Sequence, residues 1–138
     1  MNVPQDVAAR WIRAMTEHDL DGATACFHPT YRDEAPARRG EIVNGRDQVR
    51  RNFERLFRDV PDLRAELLAT AGSGDTVWME WRMSGSRSDG SLLEFARVNI
   101  FELEGDQFVR GRIYTELVRD AGGLDAQLDR MARGQPTN

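Results

Sequence analysis

The spacing of the apolar residues changes once along this chain, at about residue 62, and this change constrains the fold more than any other feature of the sequence. Before it, apolar residues such as Val7, Trp11 and Met15 recur every three or four positions, which is the period of an amphipathic helix. After it, residues 63–67 (LRAEL) alternate between apolar and charged, which is the period of a half-buried strand. Helices followed by consecutive strands favour a segregated α+β domain over an alternating α/β one.

The two patterns predict three N-terminal helices and four long strands. The helices are expected over about residues 4–18, over a shorter segment through Phe27 that Pro29 ends, and over 46–59. The long strands are expected over about residues 63–67, 77–83, 92–103 and 108–118, with a turn at 72–75. Short extended pieces are expected at 30–33 and 42–43, and one short helix after Gly122. Because a long antiparallel meander with helices on one face curls around them, we expect a curved sheet whose helices close off one small-molecule pocket.

Length and composition exclude several classes of protein. The 138 residues suit one domain, which we place at 1–138, with a core over about 3–119 and a short helix and tail over 120–138. A net charge of −4 argues against nucleic acid and membrane surfaces as partners, because both attract basic proteins. The sequence shows neither an apolar run of membrane-spanning length nor a signal peptide. A cytoplasmic location is therefore expected, and the lone Cys26 agrees with a reducing compartment.

Motifs for cofactors and metals are also missing from the sequence. It contains no GxGxxG, P-loop, HExxH or GxSxG segment. Its two histidines, His18 and His28, and its one cysteine lack the spacing of zinc ligands. We therefore expect neither a cofactor nor a metal.

The third long strand carries polar residues on a face that also bears aromatic ones. The odd-numbered residues from 93 to 101 share one face, and the even-numbered residues from 94 to 102 share the other. The first face places Arg97 and Asn99 between Phe95 and Phe101, and we take it as the inner one. The alternative exchanges the two faces and leaves Arg97 and Asn99 in solvent.

Several segments occur in an order and spacing that are similar to those of a known family. They are VAARW at 7–11, DLDGA at 19–23, FHP at 27–29, NGR at 44–46 and GRIY at 111–114. Over about residues 3–119 the chain resembles the nuclear transport factor 2-like proteins, and within them the ketosteroid isomerase and SnoaL-like polyketide cyclase branch. The resemblance implies a cone in which a curved antiparallel sheet and three helices enclose an apolar cavity. It also implies a homodimer that forms through the outer face of the sheet.

The resemblance suggests roles for individual residues. In the isomerase, an acidic residue after helix two moves a proton next to a carbonyl, while a tyrosine on helix one and a protonated aspartate on the third long strand hold the oxyanion. These positions match Asp33, Trp11 and Asn99, and an Asn amide still donates a hydrogen bond. In epoxide hydrolases of this fold an Asp-Arg-Asp set activates water. The arginine matches Arg97, but the two aspartates fall on Asn99 and near Ile113, which disfavours that chemistry.

The sequence therefore predicts an isomerase- or cyclase-like enzyme that transfers a proton on a hydrophobic carbonyl compound. Asp33, helped by Glu34, is the expected acid or base, and Arg97 and Asn99 are expected to stabilise negative charge. Burial would raise the pKa of Asp33 and Arg97 would lower it, with the outcome open. The residues expected to line the cavity are Trp11, Met15, Tyr31, Phe53, Phe57, Met79, Trp81, Phe101 and Ile113.

Three other interpretations stay open at this point. Asp33 and Arg97 can form a buried ion pair that only holds the mouth of the cone together. The cavity can bind a hydrophobic ligand without converting it, because the late strands carry few acidic residues and no histidine. The outer face of the sheet, with Trp78, Val98, Ile100 and Tyr114, can serve as an interface of an interaction domain.

Overall fold

The computed structural model describes residues 2–120 and 122–135, and these residues form four helices and six strands. The helices are α1 (Val3–Glu17), α2 (Leu20–Ala25), α3 (Arg46–Asp59) and α4 (Leu124–Ala132). The strands are β1 (Phe27–Glu34), β2 (Ile42–Asn44), β3 (Arg64–Ser73), β4 (Thr76–Ser86), β5 (Leu92–Glu104) and β6 (Gln107–Leu117). Helices before β3 and four long strands from β3 onward confirm the segregated α+β fold.

Local capping explains where α1 and α2 begin and end. The side chain of Asn2 accepts a hydrogen bond from the N–H of Gln5 at 3.2 Å, which satisfies a free donor of the first turn. His18 follows α1 in the left-handed conformation, with φ of 54°. Asp19 then caps α2 by accepting a hydrogen bond from the N–H of Gly22 at 3.0 Å. This break turns the chain from α1 into α2 and so leads it into β1.

The strands form one sheet in the order β2-β1-β6-β5-β4-β3. Every neighbouring pair is antiparallel except β1 and β6, which are parallel. The curved sheet with helices on its inner face is as predicted, but the expectation of a fully antiparallel sheet is wrong for this one pair. Pro29 lies inside β1 instead of ending α2. It is tolerated there because the β1–β6 ladder is irregular between Phe27 and Arg32, where a residue without an N–H group loses no ladder bond.

The turn between β3 and β4 is tighter than the sequence pattern indicated. Gly72 and Ser73 belong to β3 and pair with Val77 and Thr76, so the turn consists of residues 74 and 75 rather than 72–75. Gly74 has φ of 59°, which glycine adopts without a steric penalty. The ladder between β3 and β4 thus extends from Arg64–Ser84 to Ser73–Thr76, with one irregularity between Leu67 and Ala69.

The core lies between the helices and the inner face of the sheet. α1 packs on β3 and β4, while α3 packs on β1 and β2. The ring of Trp11 meets those of Trp81 and Phe101 at centroid distances of 5.1 and 5.6 Å, in the edge-to-face geometry that aromatic rings favour. Each buried aromatic side chain contributes about 1.5–3 kcal/mol, so this cluster fixes α1 over β4 and β5. A space remains between α1 and α3 above the middle of the sheet.

The short C-terminal helix is present as predicted, and its apolar residues are exposed. Leu124, Leu128 and Met131 lie on α4 with 67%, 49% and 58% of their surface accessible. They contribute nothing to the core described above. Within residues 2–120 and 122–135, no helix combines the length and apolar character that crossing a membrane requires.

Candidate active site

A cavity of about 270 Å³ occupies the space between α1, α3 and the sheet. Its apolar wall comes mainly from aromatic rings of α1, α3, β4 and β5, including Trp11, Phe53, Trp81 and Phe101. A wider cleft of about 560 Å³ adjoins it and also contacts the loop between β1 and β2. Six residues line both spaces, and they mark the passage from the cavity to its mouth: Asp33, Val43, Asn52, Met83, Arg97 and Ile113.

Asp33 lies at this passage and is held there by two hydrogen bonds. The hydroxyl of Tyr31 donates to one carboxylate oxygen at 2.7 Å, and the backbone N–H of Val43 donates to the other at 3.3 Å. Tyr31 and Asp33 share a face of β1 because side chains alternate along a strand, and the β1–β2 register sets Val43 opposite Asp33. The carboxylate therefore has a fixed orientation.

Burial raises the pKa of Asp33 above its usual value. The hydrogen bonds from Tyr31 and Val43 and the positive charge of Arg97 oppose this rise without cancelling it. The competition that the sequence left open is thus decided in favour of desolvation, which penalises the charged form of a carboxyl group. A carboxylate with a raised pKa is a stronger base than an exposed one.

The hydroxyl of Tyr31 fits beside Asp33 because the facing position on β6 is a glycine. Tyr31 is 1% exposed, and the parallel ladder places Gly111 opposite Asp33. A Cβ atom at Gly111 would lie 2.5 Å from the Tyr31 hydroxyl oxygen and 3.0 Å from a ring carbon of Phe101. Burial and the charge of Asp33 raise the pKa of Tyr31 well above its usual value, so its hydroxyl keeps the proton that it donates.

Arg97 and Asn99 face the cavity, as we expected for the inner face of β5. Asn99 is 1% exposed. The Cζ atom of Arg97 stands 4.7 Å from the ring centroid of Trp81, and Nη1 lies 3.9 Å from the sulfur of Met83. Burial lowers the pKa of Arg97 to about 10, which leaves the guanidinium charged at neutral pH. The alternative in which these side chains are solvated is wrong.

Four buried polar atoms around the cavity have no hydrogen-bond partner within the described part of the chain. They are Nε1 of Trp11, Nε1 of Trp81, Nε of Arg97 and Oδ1 of Asn99. Buried polar atoms are nearly always hydrogen-bonded in folded proteins. Four such atoms in residues that line one cavity therefore mark the polar part of an otherwise apolar wall. By contrast, the described residues contain no cluster of three or more His, Cys, Asp or Glu side chains that could hold a metal ion.

The structure brings together most of the residues that the sequence predicted for the site. Phe57 and Met79 are the exceptions among the expected wall residues: Phe57 stacks on His18 at 4.7 Å, and Met79 is enclosed in the core with 1% exposure. Glu34, expected to assist Asp33, lies on the outer side of β1, because adjacent residues of a strand face opposite ways. The predicted residues that do line the cavity are Asp33, Arg97, Asn99, Trp11, Met15, Tyr31, Phe53, Trp81, Phe101 and Ile113.

Sequence reasoning missed part of the cavity wall. Met83 follows Trp81 by two positions on β4, so the two-residue period could have identified it. Asn52 lies four residues after Gln48 on α3, and this pair forms a polar edge of the helix at the mouth. Val43 was not identifiable, because its role comes from a backbone N–H group. The ion-pair interpretation also fails in its direct form, since no nitrogen of Arg97 lies within 4.0 Å of a carboxylate oxygen in residues 2–120 and 122–135.

A curled sheet closed by helices around one cavity defines a pocket protein of the nuclear transport factor 2-like α+β class. Residues 8–111 match the family model of the SnoaL-like domain. The chain belongs to the SnoaL-like family. No match was found among curated proteins.

Solved structures share this fold at low sequence identity. A cystatin-fold protein from Novosphingobium aromaticivorans has a TM-score of 0.70 and 23% identity, over 86% of this chain and 99% of that one. An LEH-like epoxide hydrolase from M. tuberculosis has a TM-score of 0.71 and 14% identity, over 83% of each chain. A protein described as a SnoaL-like polyketide cyclase from Jannaschia sp. CCS1 has a TM-score of 0.70 and 18% identity, over 83% of this chain and 85% of that one. At these identities the likeness establishes the fold alone.

Proposed function

We propose that this protein is an enzyme that transfers a proton at a carbon next to a carbonyl group of a hydrophobic small molecule, as an isomerase or a cyclase. The observation that carries the proposal is the placement of Asp33. Its carboxylate is held by two hydrogen bonds at the entrance of an aromatic cavity, and burial raises its pKa. A general base needs these three properties: a fixed position, access to the substrate and a pKa shifted towards neutrality.

The chemistry begins when the carboxylate of Asp33 removes a proton from the carbon next to the carbonyl. The electron pair of the broken C–H bond moves to the carbonyl oxygen and forms an enolate. The amide of Asn99 and the guanidinium of Arg97 stabilise that charge, because both side chains line the same cavity as Asp33 and are oriented there before the reaction. In an isomerisation Asp33 returns the proton to another carbon. In a cyclisation the enolate carbon bonds to a second carbonyl carbon of the same molecule, and the first carbonyl re-forms. The π electrons of the second carbonyl move to its oxygen, which takes the proton from Asp33 and becomes a hydroxyl group.

Family membership supports this reaction class over epoxide hydrolysis. The SnoaL-like neighbour described above is called a polyketide cyclase, and cyclisation of this kind proceeds through an enolate. The LEH-like neighbour is called an epoxide hydrolase, but by the resemblance the two aspartates of that chemistry fall on Asn99 and near Ile113 in this chain. We therefore assign proton transfer rather than water activation.

A second candidate function is the binding of a hydrophobic ligand without conversion. It is favoured by the residues that β5 and β6 present to the inner cavity, because Asn99 and Ile113 supply neither an acid nor a base. Asp33 is then the one carboxylate among the side chains that line the inner cavity. Proton transfer therefore depends on this single residue, and one substitution separates the two functions.

The decisive assay is deuterium exchange at the carbon next to a ketone, followed by ¹H NMR in D₂O with a panel of aryl ketones. Exchange reports proton transfer whatever reaction comes after it. Asp33→Asn should reduce the exchange rate by about 10²-fold or more, because it removes the base and keeps the size of the side chain. Glu34→Gln is the matched control and should leave the rate unchanged, since Glu34 lies on the outer side of the same strand. Binding of the ketones without exchange would establish the second candidate, and unchanged exchange in Asp33→Asn would remove Asp33 from the mechanism.

A further inference from the structure

Arg97 is a half-buried cation in the cavity wall whose hydrogen-bonding capacity is almost unused. A guanidinium carries five N–H donors. In residues 2–120 and 122–135, its one hydrogen-bond contact is the weak thioether acceptor of Met83, at 3.9 Å, and its Nε atom is buried without a partner. The face of Trp81 holds the guanidinium at 4.7 Å from the ring centroid, which fixes the plane of the group. Three or more donors of an oriented cation therefore remain available at the cavity wall.

The nearest acid does not neutralise Arg97 by contact. The oxygens of Asp33 are engaged by the hydroxyl of Tyr31 and the N–H of Val43, and they lie more than 4.0 Å from the guanidinium nitrogens. Arg97 is nevertheless partly withdrawn from water without a direct ion pair, and such a charge carries a desolvation cost. Folded proteins retain such a charge where a ligand of opposite charge completes the pair.

The surroundings of Arg97 describe the ligand that fits. The flat, two-pronged geometry of a guanidinium suits a carboxylate, which accepts two parallel hydrogen bonds. The charged side chains of the wider cleft are Asp33, Glu41, Arg38 and Arg97, two acidic and two basic, so the cleft has no excess positive charge to favour a phosphate dianion. Asn99 lies two positions along β5, about 6.5–7 Å away along the strand, and can hydrogen-bond to a carbonyl group of the same molecule. The aromatic wall receives the apolar remainder.

We propose that the cavity binds hydrophobic carboxylic acids, with the carboxylate of the ligand paired to Arg97. The inference rests on the proposed function, since it names the charge of the substrate in the same cavity: an aryl keto acid rather than a neutral ketone. With a carboxylate present, Asn99 alone stabilises the enolate, and Arg97 pairs with the carboxylate charge, which exists before and during the reaction. Such an interaction lowers KM and leaves kcat nearly unchanged.

The proposal is tested with ligand pairs that differ only in charge. The probes are 4-oxo-4-phenylbutanoate and 2-naphthoate, each compared with its primary amide, and binding is measured by calorimetry and by fluorescence of the cavity tryptophans. Wild-type protein should bind each acid at least about tenfold more tightly than its amide (about 1.4 kcal/mol). Arg97→Gln should abolish this preference. Arg82→Gln is the matched control and should preserve it, because Arg82 pairs with Glu94 on the outer face.

The melting temperature provides a second test, because a structural role of Arg97 and its proposed ligand-binding role predict opposite shifts when the charge is removed. Arg97→Met keeps the bulk of the side chain and removes the unpaired charge, so it should unfold at a higher temperature than wild type. A lower melting temperature would show that Arg97 supports the fold through its charge, and would overturn the proposal. Three other results would also overturn the proposal: equal affinity for acids and amides, a Kd above about 1 mM for both acids, or an acid preference that survives in Arg97→Gln. Acid binding without deuterium exchange would contradict the proposed catalysis and support this inference. Exchange on neutral ketones without an acid preference would support the proposed catalysis and contradict this inference.

Discussion

Replacing Gly111 with alanine should force a methyl group into the space that the hydroxyl of Tyr31 occupies. The new Cβ atom would lie 2.5 Å from that oxygen, and 3.0 and 3.1 Å from two ring carbons of Phe101, where unstrained carbon contacts need about 3.5 Å or more. Both rings are 1% exposed, so they cannot turn away into solvent. Tyr31 must therefore shift, and its hydrogen bond to Asp33 must lengthen.

The expected cost follows from two opposing effects. Overpacking a core by one methyl group costs about 1–3 kcal/mol, whereas replacing glycine by alanine inside a strand returns about 0.5–1 kcal/mol. Gly111→Ala should therefore lower the free energy of unfolding by about 1–2 kcal/mol. For a domain of this size that corresponds to a decrease in Tm of roughly 3–4 °C per kcal/mol.

A double-mutant cycle identifies the hydroxyl as the cause. Denaturant unfolding is measured for Gly111→Ala, for Tyr31→Phe and for both together, with Tyr114→Phe on the outer face as the control for hydroxyl removal. Tyr31→Phe alone should cost about 1–3 kcal/mol, because the Asp33 carboxylate loses a charge-assisted hydrogen bond. In its presence the cost of Gly111→Ala should shrink by about 1 kcal/mol. An unchanged cost would refute the claim that Gly111 exists to accommodate Tyr31.

Two further outcomes are expected. The pKa of Asp33 is raised from 3.8, so between pH 3.8 and the raised value the folded protein binds more protons than the unfolded chain. The free energy of unfolding should therefore fall as pH rises through that window and then level off. Unfolding curves of Asp33→Asn should lack this fall, and a parallel pH dependence in the two proteins would contradict the raised pKa. We also propose that two copies of the chain associate through the outer face of the sheet, where Trp78 is 52% exposed and pairs across strands with Ile100. Light scattering should then give a dimer for wild type and for the control Val3→Asp on α1, where Val3 is 40% exposed, but a monomer for Trp78→Asp. A strictly monomeric wild type would exclude the association.

The spacing of residues predicted which way each side chain faces. It was less successful at predicting which residues along a helix or strand reach the cavity. The two-residue period placed Arg97 and Asn99 on the inner side of β5, since that period follows directly from strand geometry. The same reasoning assigned Met79 to the cavity, although it lies in the closed core, because a period reveals which way a side chain faces and not how far along the cone it stands. Phe57 failed for the same reason, one turn beyond Phe53 on α3.

The surroundings of Asp33 could not be read from the sequence. Tyr31 was expected as a wall residue, but its hydrogen bond to Asp33 depends on the empty volume at Gly111, which comes from the far end of the chain. That neighbour is supplied by the parallel β1–β6 pair, which joins the first strand to the last. Local patterns describe each strand separately and carry no record of which distant strand becomes its partner.

The parallel pairing of β1 with β6 also has a consequence for how the protein is made. β6 lies between β1 and β5 in the sheet, so a nascent chain that has not yet reached Gln107 contains two strands with unpaired backbone groups. Contacts between residues so distant in sequence form slowly, and open strand edges attract other chains. The arrival of β6 closes both edges in one step and brings Gly111 against Tyr31. Completion of the sheet and the placement of Gly111 beside Tyr31 and Asp33 are thus the same folding event, and a partly synthesised chain has neither.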